Sequence, residues 1–404
     1  MFAAVLAASM TVASLQAQLI HRYSFTTDGT DSVGGANATL HNLATVTGGA
    51  LTLNALGATS GTLVTSGDNT GPYATLPGTV LQGLTNMTIE FWVSAGTAAT
   101  ADAGVWSRVY DFGNSVNGSG QNYAIFSPHD GSGTSRGTIR IGSGNEYVAT
   151  HYSALDDGLP HHVVMVYDAV GGWIEYYIDG GLAGGGTTGR AAEPLPLSII
   201  QTNNLYLGRS QFSSDAYLLG SIDEFRIWNR ALSGAEAMAN QQSGPGNATI
   251  DLSSLGALSS ISLADPGYLI EQQTNAAFTA ATGNFANFSG LNLFHLPGFT
   301  ITSSDPTVAT VDSSGNVKPL KPGTTTLTAT YGSVSTTYDI SVYADATPPT
   351  LAVSDGGYDR VVQVTSTKPL DPATATALST YKIDGGAVTI NSASLSTNGL
   401  VVTL

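Results

Sequence analysis

Short runs in which hydrophobic and polar residues alternate with a period of two recur along the first 230 or so positions, and each predicts a half-buried strand. Residues 19–25 form the first run, followed by a polar turn, Asp28-Gly29-Thr30-Asp31. Residues 87–93 alternate cleanly: Ile89, Phe91 and Val93 share one face, and Thr88, Glu90 and Trp92 share the other. Further strands are expected at 106–112, 122–126 and 138–141. Residues 162–168 and 173–178 read as a hairpin whose loop contains Gly171 and Gly172, where positive φ is tolerated. The stretch 220–232 reads as the last core strand, which closes the sheet begun near residue 20. It leaves the sheet into a helical turn where Ser233 and Glu236 stand three apart, the spacing of a reciprocal cap.

After this strand the composition changes. Residues 242–256, with Gly244-Pro245-Gly246, read as a linker. A new set of alternating runs follows, in which Leu327, Ala329 and Tyr331 interleave with threonines. Thr347-Pro348-Pro349 predicts a stiff connection to a last set of strands, which stops at residue 404 within a plausible strand; a longer parent chain is expected on that ground.

The order of motifs in the first part resembles the laminin-G-like (concanavalin A-like) jelly-roll family. The residues that carry the resemblance are His21-Arg22-Tyr23-Ser24-Phe25 with Asp31-Ser32-Val33-Gly34-Gly35, then Thr88-Ile89-Glu90-Phe91-Trp92-Val93. His161-His162-Val163-Val164, Tyr177-Ile178-Asp179-Gly180, Leu205-Tyr206-Leu207-Gly208 and 220–232 complete it. Ser303-Ser304-Asp305-Pro306 and Lys321-Pro322-Gly323-Thr324-Thr325-Thr326 are similar to the bacterial Ig-like group 2 domain. The resemblances imply an all-β chain, a concanavalin A-like jelly-roll sandwich followed by Ig-like β-sandwiches. The expected boundaries are a signal peptide at 1–17, the jelly roll at 18–241, the linker at 242–256, the Ig-like domain at 257–344 and a partial, truncated Ig-like domain at 345–404.

Charge narrows the partners. Thirteen basic residues face 29 acidic ones, for a formal net charge of −16, so phosphate backbones and anionic lipid surfaces are repelled and no nucleic-acid partner is expected. The chain has no cysteine, which excludes disulfides, thiolate metal sites and cysteine nucleophiles. The apolar run 2–17 ends in Leu15-Gln16-Ala17 and resembles the later part of a secretory signal, though no basic residue precedes Arg22; export to the medium or the cell surface is expected. No apolar run is long enough for a transmembrane helix, so no membrane insertion is expected.

The residues with chemistry are few. Glycoside hydrolysis needs two carboxylates flanking one bond. Glu90 and Glu175 stand alone on their strands, and Asp223 and Glu224 are adjacent, which points them to opposite faces; no catalytic residue is assigned and no enzyme is expected. His161 and His162 likewise cannot share a face, and packed, hydrogen-bonded roles suit them better than zinc. Related lectin-like domains often hold a structural calcium, which the resemblance carries to Asp28, Asp31 and Asp223, since first and last strands commonly pair; plain turn residues are the alternative. Sugars are held by aromatic faces and planar polar groups. The candidates are Trp106, Arg108 and Tyr123, with Trp92, Trp173 and Tyr177 on presumed outer faces and Trp228 in the core. The function expected is therefore non-catalytic recognition of a polysaccharide or a cell-surface glycan or protein, with the Ig-like domains as spacers. The rivals are an accessory part of a larger secreted carbohydrate-active enzyme and a ligand-free stalk or surface-layer component.

Overall fold

The computed structural model describes residues 19–53, 65–96, 105–140, 146–183, 196–200, 202–273, 277–346 and, apart from 355–360, 369, 371 and 398, residues 350–404. The expected signal peptide lies outside the described residues. Two compact units divide the chain at residue 344.

The first part of unit one is a two-sheet sandwich. Its strands are β1 (Leu19–Tyr23), β2 (Thr39–His41), β3 (Thr45–Thr47), β4 (Ala50–Thr52), β5 (Tyr73–Thr75), β6 (Met87–Ala95), β7 (Tyr110–Val116), β8 (Ser119–Ser127), β9 (Ser135–Arg140), β10 (Glu146–His151), β11 (Pro160–Asp168), β12 (Trp173–Ile178), β13 (Gly181–Leu182), β14 (Asn204–Leu207) and β15 (Gly220–Trp228). Among the described residues, one sheet runs β13-β12-β11-β6-β15-β4-β3, with β1 also on β15, and the other runs β10-β9-β8-β7-β14-β5-β2. The period-two alternation builds the core between them: Ile89, Phe91, Val93, Met165, Phe225 and Ile227 of the first sheet meet Tyr110, Phe112, Phe126 and Leu207 of the second. Phe91 stacks on Phe225 with ring centroids 6.0 Å apart and meets Phe126 edge to face at 5.2 Å.

The stretch expected to close the sheet does so from its interior, since β15 pairs with β6, β1 and β4. Gly220 opens it at φ +148°, where a Cβ would stand 2.1 Å from the Ser94 carbonyl oxygen. A bulge between Ile222 and Glu224 leaves Asp223 exposed as the extra residue and turns Glu224 under the sheet, so simple alternation fails here.

The outer face of the first sheet, expected to be open, is covered. Helix α1 (Gly234–Ser243) starts with the reciprocal cap: Ser233 Oγ accepts from Glu236 N at 3.2 Å, and Glu236 Oε2 accepts from Ser233 N at 3.0 Å. Ala237 of this helix packs on Val164, Val166 and Tyr177 of the sheet, while Ala235 and Ala239 enter a cluster with Leu255, Leu293 and Leu296 of the following domain. Alanines allow this two-sided contact because they let both neighbours approach the helix backbone. The segment expected to be a loose linker is thus partly helix and partly packed, with Leu255 fully buried.

Beneath this cover Glu90 accepts from Trp228 Nε1 and pairs with His162 Nε2, both at 2.9 Å, with Arg226 Nη1 at 3.4 Å. Glu224 takes Arg226 Nε at 2.7 Å and Arg22 Nε at 2.6 Å. Trp92 stacks on His162 with centroids 4.2 Å apart. Trp92, Trp173 and Tyr177 are therefore buried rather than open to a sugar, and Trp228 is buried on this face instead of between the sheets. Glu90 and Glu175 do not look across an open groove: Glu90 is enclosed by its partners, and Glu175 accepts from Tyr177 Oη and Asn292 Nδ2.

The Ig-like part follows within the same unit. Its long hairpin joins Gly323–Tyr331 to Val334–Tyr343 and buries Leu327 and Ala329. The two motifs of this domain meet: Thr325 Oγ1 accepts from Asp305 N at 2.9 Å and lies 2.8 Å from Ser303 Oγ. Asp168 of β11 receives Ser314 Oγ and the Gly171 N–H at 2.9 Å, and pairs with His295 Nε2 at 3.2 Å. Unit two has its own four-stranded sheet around Val364, Ala375 and Val402.

Candidate functional site

The outer face of the second sheet holds a cavity of about 650 Å³, lined by Trp106, Arg108, Tyr123, Ile125, Arg136, Arg140, Glu146, Phe212 and Asp215. Alternation places most of these side chains. Tyr123 and Ile125 project outward from β8, because Ala124 and Phe126 between and beside them belong to the core. Arg136 and Arg140 alternate with the core residue Ile139 and its neighbour Gly137 on β9, and Glu146 stands opposite Arg140 on β10.

Trp106 is not on a strand, as its sequence context predicted, but in a turn before β7 with φ +68°. A left-handed conformation in a bulky residue costs about 1 kcal/mol or more and is held here from both sides. Trp106 N donates to His129 O at 2.8 Å, and Trp106 O accepts from Arg108 Nη1. The half-buried indole has two guanidinium groups close to it, Arg136 at 5.3 Å and Arg108 at 5.4 Å from its ring centroid. Arg108 also approaches Phe212 at 5.8 Å, and Arg140 lies 6.0 Å from the Tyr123 centroid.

Carboxylates fix this array. Asp215 Oδ2 accepts from Arg108 Nη2 and from Ser210 Oγ, each at 2.8 Å. Glu146 receives Tyr123 Oη on one oxygen and Arg136 Nη2 on the other. Beneath the cavity Asp111 accepts from Gln211 N at 3.0 Å and Gln211 Nε2 at 3.2 Å. Burial pushes the Asp111 carboxyl up to about 6 against the opposing pull of Arg108, and burial also raises Asp215. Burial, reinforced by Glu146, pushes the Tyr123 phenol up.

Trp106, Arg108 and Tyr123, proposed from sequence as ligand contacts, thus line one cavity. Sequence reasoning did not name Arg136, Arg140, Glu146, Phe212 or Asp215. The i, i+4 spacing of Arg136 and Arg140 in one strand was a usable signal; Phe212 and Asp215 lie on the 208–216 loop, which carries no periodic signal.

The expected calcium ligands do not come together. Asp31 is buried, and its oxygens accept from the N–H groups of Arg22 (2.9 Å), Val33 (3.1 Å), Gly34 (3.0 Å) and Ala36 (2.9 Å), with His21 Nδ1 at 2.6 Å. Asp28 is exposed and caps Thr30 N at 2.9 Å, and Asp223 is the exposed bulge residue. Among the described residues no three His, Asp or Glu side chains converge as a metal requires. These residues do not fit a calcium ion, because Asp31 has already spent its acceptor capacity on the turn.

Residues 68–238 match the concanavalin A-like lectin/glucanases superfamily, and residues 297–341 match the bacterial Ig-like domain (group 2). The chain therefore carries a concanavalin A-like domain followed by a bacterial Ig-like domain, and it is all-β. Among solved structures it is similar to domain 4 of AbnA, an extracellular arabinanase from Geobacillus stearothermophilus, determined with arabinotriose (20% identity, 55% of this chain, 98% of that one, TM-score 0.36). It is also similar to the CBM40 of a Ruminococcus gnavus sialidase bound to α2,3-sialyllactose (18% identity, 39% and 82% coverage, TM-score 0.33). Trypanosoma rangeli sialidase matches at 17% identity over 55% of this chain and 32% of its own, with a TM-score of 0.36. No curated protein matches the chain.

Proposed function

We propose that the cavity on the second sheet binds carbohydrate, and that the chain is an exported, non-catalytic binding protein whose Ig-like part carries the jelly roll. The observation that supports this reading is the lining itself: Trp106, Tyr123 and Phe212 offer aromatic faces beside the planar polar groups of Arg108, Arg136 and Glu146. Sugar rings have apolar C–H faces and hydroxyl rims, so a site for them needs stacking surfaces and hydrogen-bonding groups that are already fixed. Here ion pairs fix them before any ligand arrives. Glu146 and Asp215 are each held by an arginine, Arg136 and Arg108, and in this reading they fix the array and take no part in proton transfer.

The test is titration of the whole chain with a panel of soluble polysaccharides, followed by tryptophan fluorescence, with Trp106→Ala and Tyr123→Ala beside it. Binding of a defined polymer that both substitutions weaken at least tenfold is the expected result. Binding that neither substitution changes would place the ligand elsewhere on the molecule.

A further inference from the structure

The charge distribution of the jelly roll narrows the ligand class. No lysine precedes Lys318, so every fixed positive side-chain charge in this domain is an arginine. Carboxylates are abundant in a chain with 29 acids and 13 bases, and most described arginines have one. Arg22 pairs with Glu224, Arg108 with Asp215, Arg136 with Glu146, Arg226 with Glu224 and Arg230 with Glu236. Arg140 and Arg209 have no carboxylate partner among the described residues, and both stand on the open side of the second sheet.

Each lies on tyrosine rings. Arg140 is 6.0 Å from the Tyr123 centroid, inside the cavity described above. Arg209 is 4.8 Å from Tyr73, 5.0 Å from Tyr206 and 5.9 Å from Tyr217. Its polar contacts are neutral: Nη2 donates to Ser66 O at 3.0 Å and to Asn69 Oδ1. Both Nε atoms are buried without a hydrogen-bond partner, and so is the Oη of Tyr217, itself only 3% exposed. Each such atom costs about 1–3 kcal/mol; on this face, among the described residues, they are Arg108 Nε, Arg140 Nε, Arg209 Nε and Tyr217 Oη, and others lie on the covered side at His162, Arg230 and Asn240. Glu146 pairs with Arg136, and Arg108 is shared between Asp215 and, at 3.6 Å, Asp111 beneath the cavity, so Arg108, Arg136, Arg140 and Arg209 face three carboxylates and this face carries a local positive excess on a chain whose net charge is −16. Three strand steps, about 14 Å, separate β9 from β14, and Arg209 follows Asn204, the β14 residue in the same cross-strand row as Arg140, by five positions, about 16 Å further along, so the two arginines stand roughly 20 Å apart.

We propose that this face takes an acidic polysaccharide, with Arg140 and Arg209 each holding an anionic group of the same chain while Trp106, Tyr123, Tyr73 and Tyr206 carry its sugar rings. The inference rests on the carbohydrate reading and adds the anionic class and a second contact point at Arg209. A planar guanidinium suits a carboxylate or a sulfate ester equally, because each presents two oxygens in one plane to its fork. A chain long enough to reach both arginines gains from simultaneous attachment, so oligomers too short to span them bind more weakly.

The experiment is a titration of the whole chain with polygalacturonate, with a sulfated galactan and with neutral arabinan, at low and high salt. Arg140→Gln, Arg209→Gln and the double variant are run in parallel, with thermal midpoints as a folding control. The expected result is tighter binding of an acidic polymer than of arabinan, weakened severalfold or more by salt. Each single variant loses about tenfold and the double variant more, with midpoints unchanged. Preference for polygalacturonate assigns carboxylate, and preference for the galactan assigns sulfate; either supports the proposal. Arabinan bound as tightly as the acidic polymers, with both variants unaffected, overturns the anionic class and leaves the carbohydrate reading standing. Retention of none of the three polymers, nor of any in the wider panel, overturns both.

Discussion

Arg136 places its guanidinium 5.3 Å from the centroid of the Trp106 ring while donating through Nη2 to Glu146. One arginine thus orients the main aromatic surface of the cavity and anchors the carboxylate that in turn holds Tyr123.

Trp106 is the residue where binding and stability separate. Its φ of +68° is a conformation glycine adopts without strain, and its backbone contacts to His129 and Arg108 survive the loss of the side chain. Trp106→Gly is expected to abolish stacking, at a cost of about 2 kcal/mol in binding, roughly thirtyfold in affinity. The melting temperature is expected to stay level or rise. Calorimetry on the same preparation reads both quantities, and a large drop in melting temperature would show that the indole is structural.

Glu90 governs acid stability. Burial raises its carboxyl, but Arg226, His162 and Trp228 more than offset this and hold it down to about 2. The folded value lies below the ordinary glutamate value, so the stabilisation is fully present above about pH 4.5 and is lost as the pH falls toward 2. Asp31 is held to about 2 against burial by His21 and backbone N–H groups, and it acts in the same window. Glu90→Gln leaves Arg226 without this partner and is expected to cost about 3–5 kcal/mol at neutral pH, with a shallower fall in acid. Urea unfolding from pH 7 to 2.5 measures both; equal slopes for the two proteins would be inconsistent with this assignment.

Asp31 separates a turn from a metal site. Four backbone N–H groups and His21 fill its oxygens, so Asp31→Asn is expected to lower stability by about 1–3 kcal/mol with or without calcium. Thermal melts of wild type and variant in calcium and in chelator decide it. A calcium-dependent rise in melting temperature that the substitution removes would restore the metal reading.

Asp168 fastens the jelly roll to the Ig-like part through Ser314 and His295. Asp168→Ala removes both contacts and the acceptor for Gly171 N. The variant is expected to loosen the junction, seen as a larger radius of gyration in solution scattering and as faster proteolysis between 244 and 250. An unchanged profile would mean that the alanine face of α1 suffices.

The strands were legible in sequence wherever one face meets the core, because a period of two needs only local geometry. Ile89, Phe91 and Val93 were read this way; the cap of Ser233 on Glu236 was read from its three-residue spacing, and the two motifs joined at Thr325 from the resemblance to the bacterial Ig-like domain. Alternation failed at Asp223, where a bulge inserts a residue, and at Trp106, where a turn replaces a strand.

The sequence alone therefore determined the all-β class, the order of its domains, the acidic surface and which residues face the core of each strand. It could not determine which outer face stays open, since alternation marks the outward residues of both sheets alike. That was decided by tertiary contacts between residues far apart in the chain. Helix α1 and the Ig-like domain bury Tyr177 and Trp173 of one sheet, where Trp92 is enclosed by His162 and Arg226. The 208–216 loop brings Phe212 and Asp215 beside Trp106, Tyr123 and three arginines on the other. Burial and ion pairing depend on such distant partners, and no local pattern in the chain encodes them.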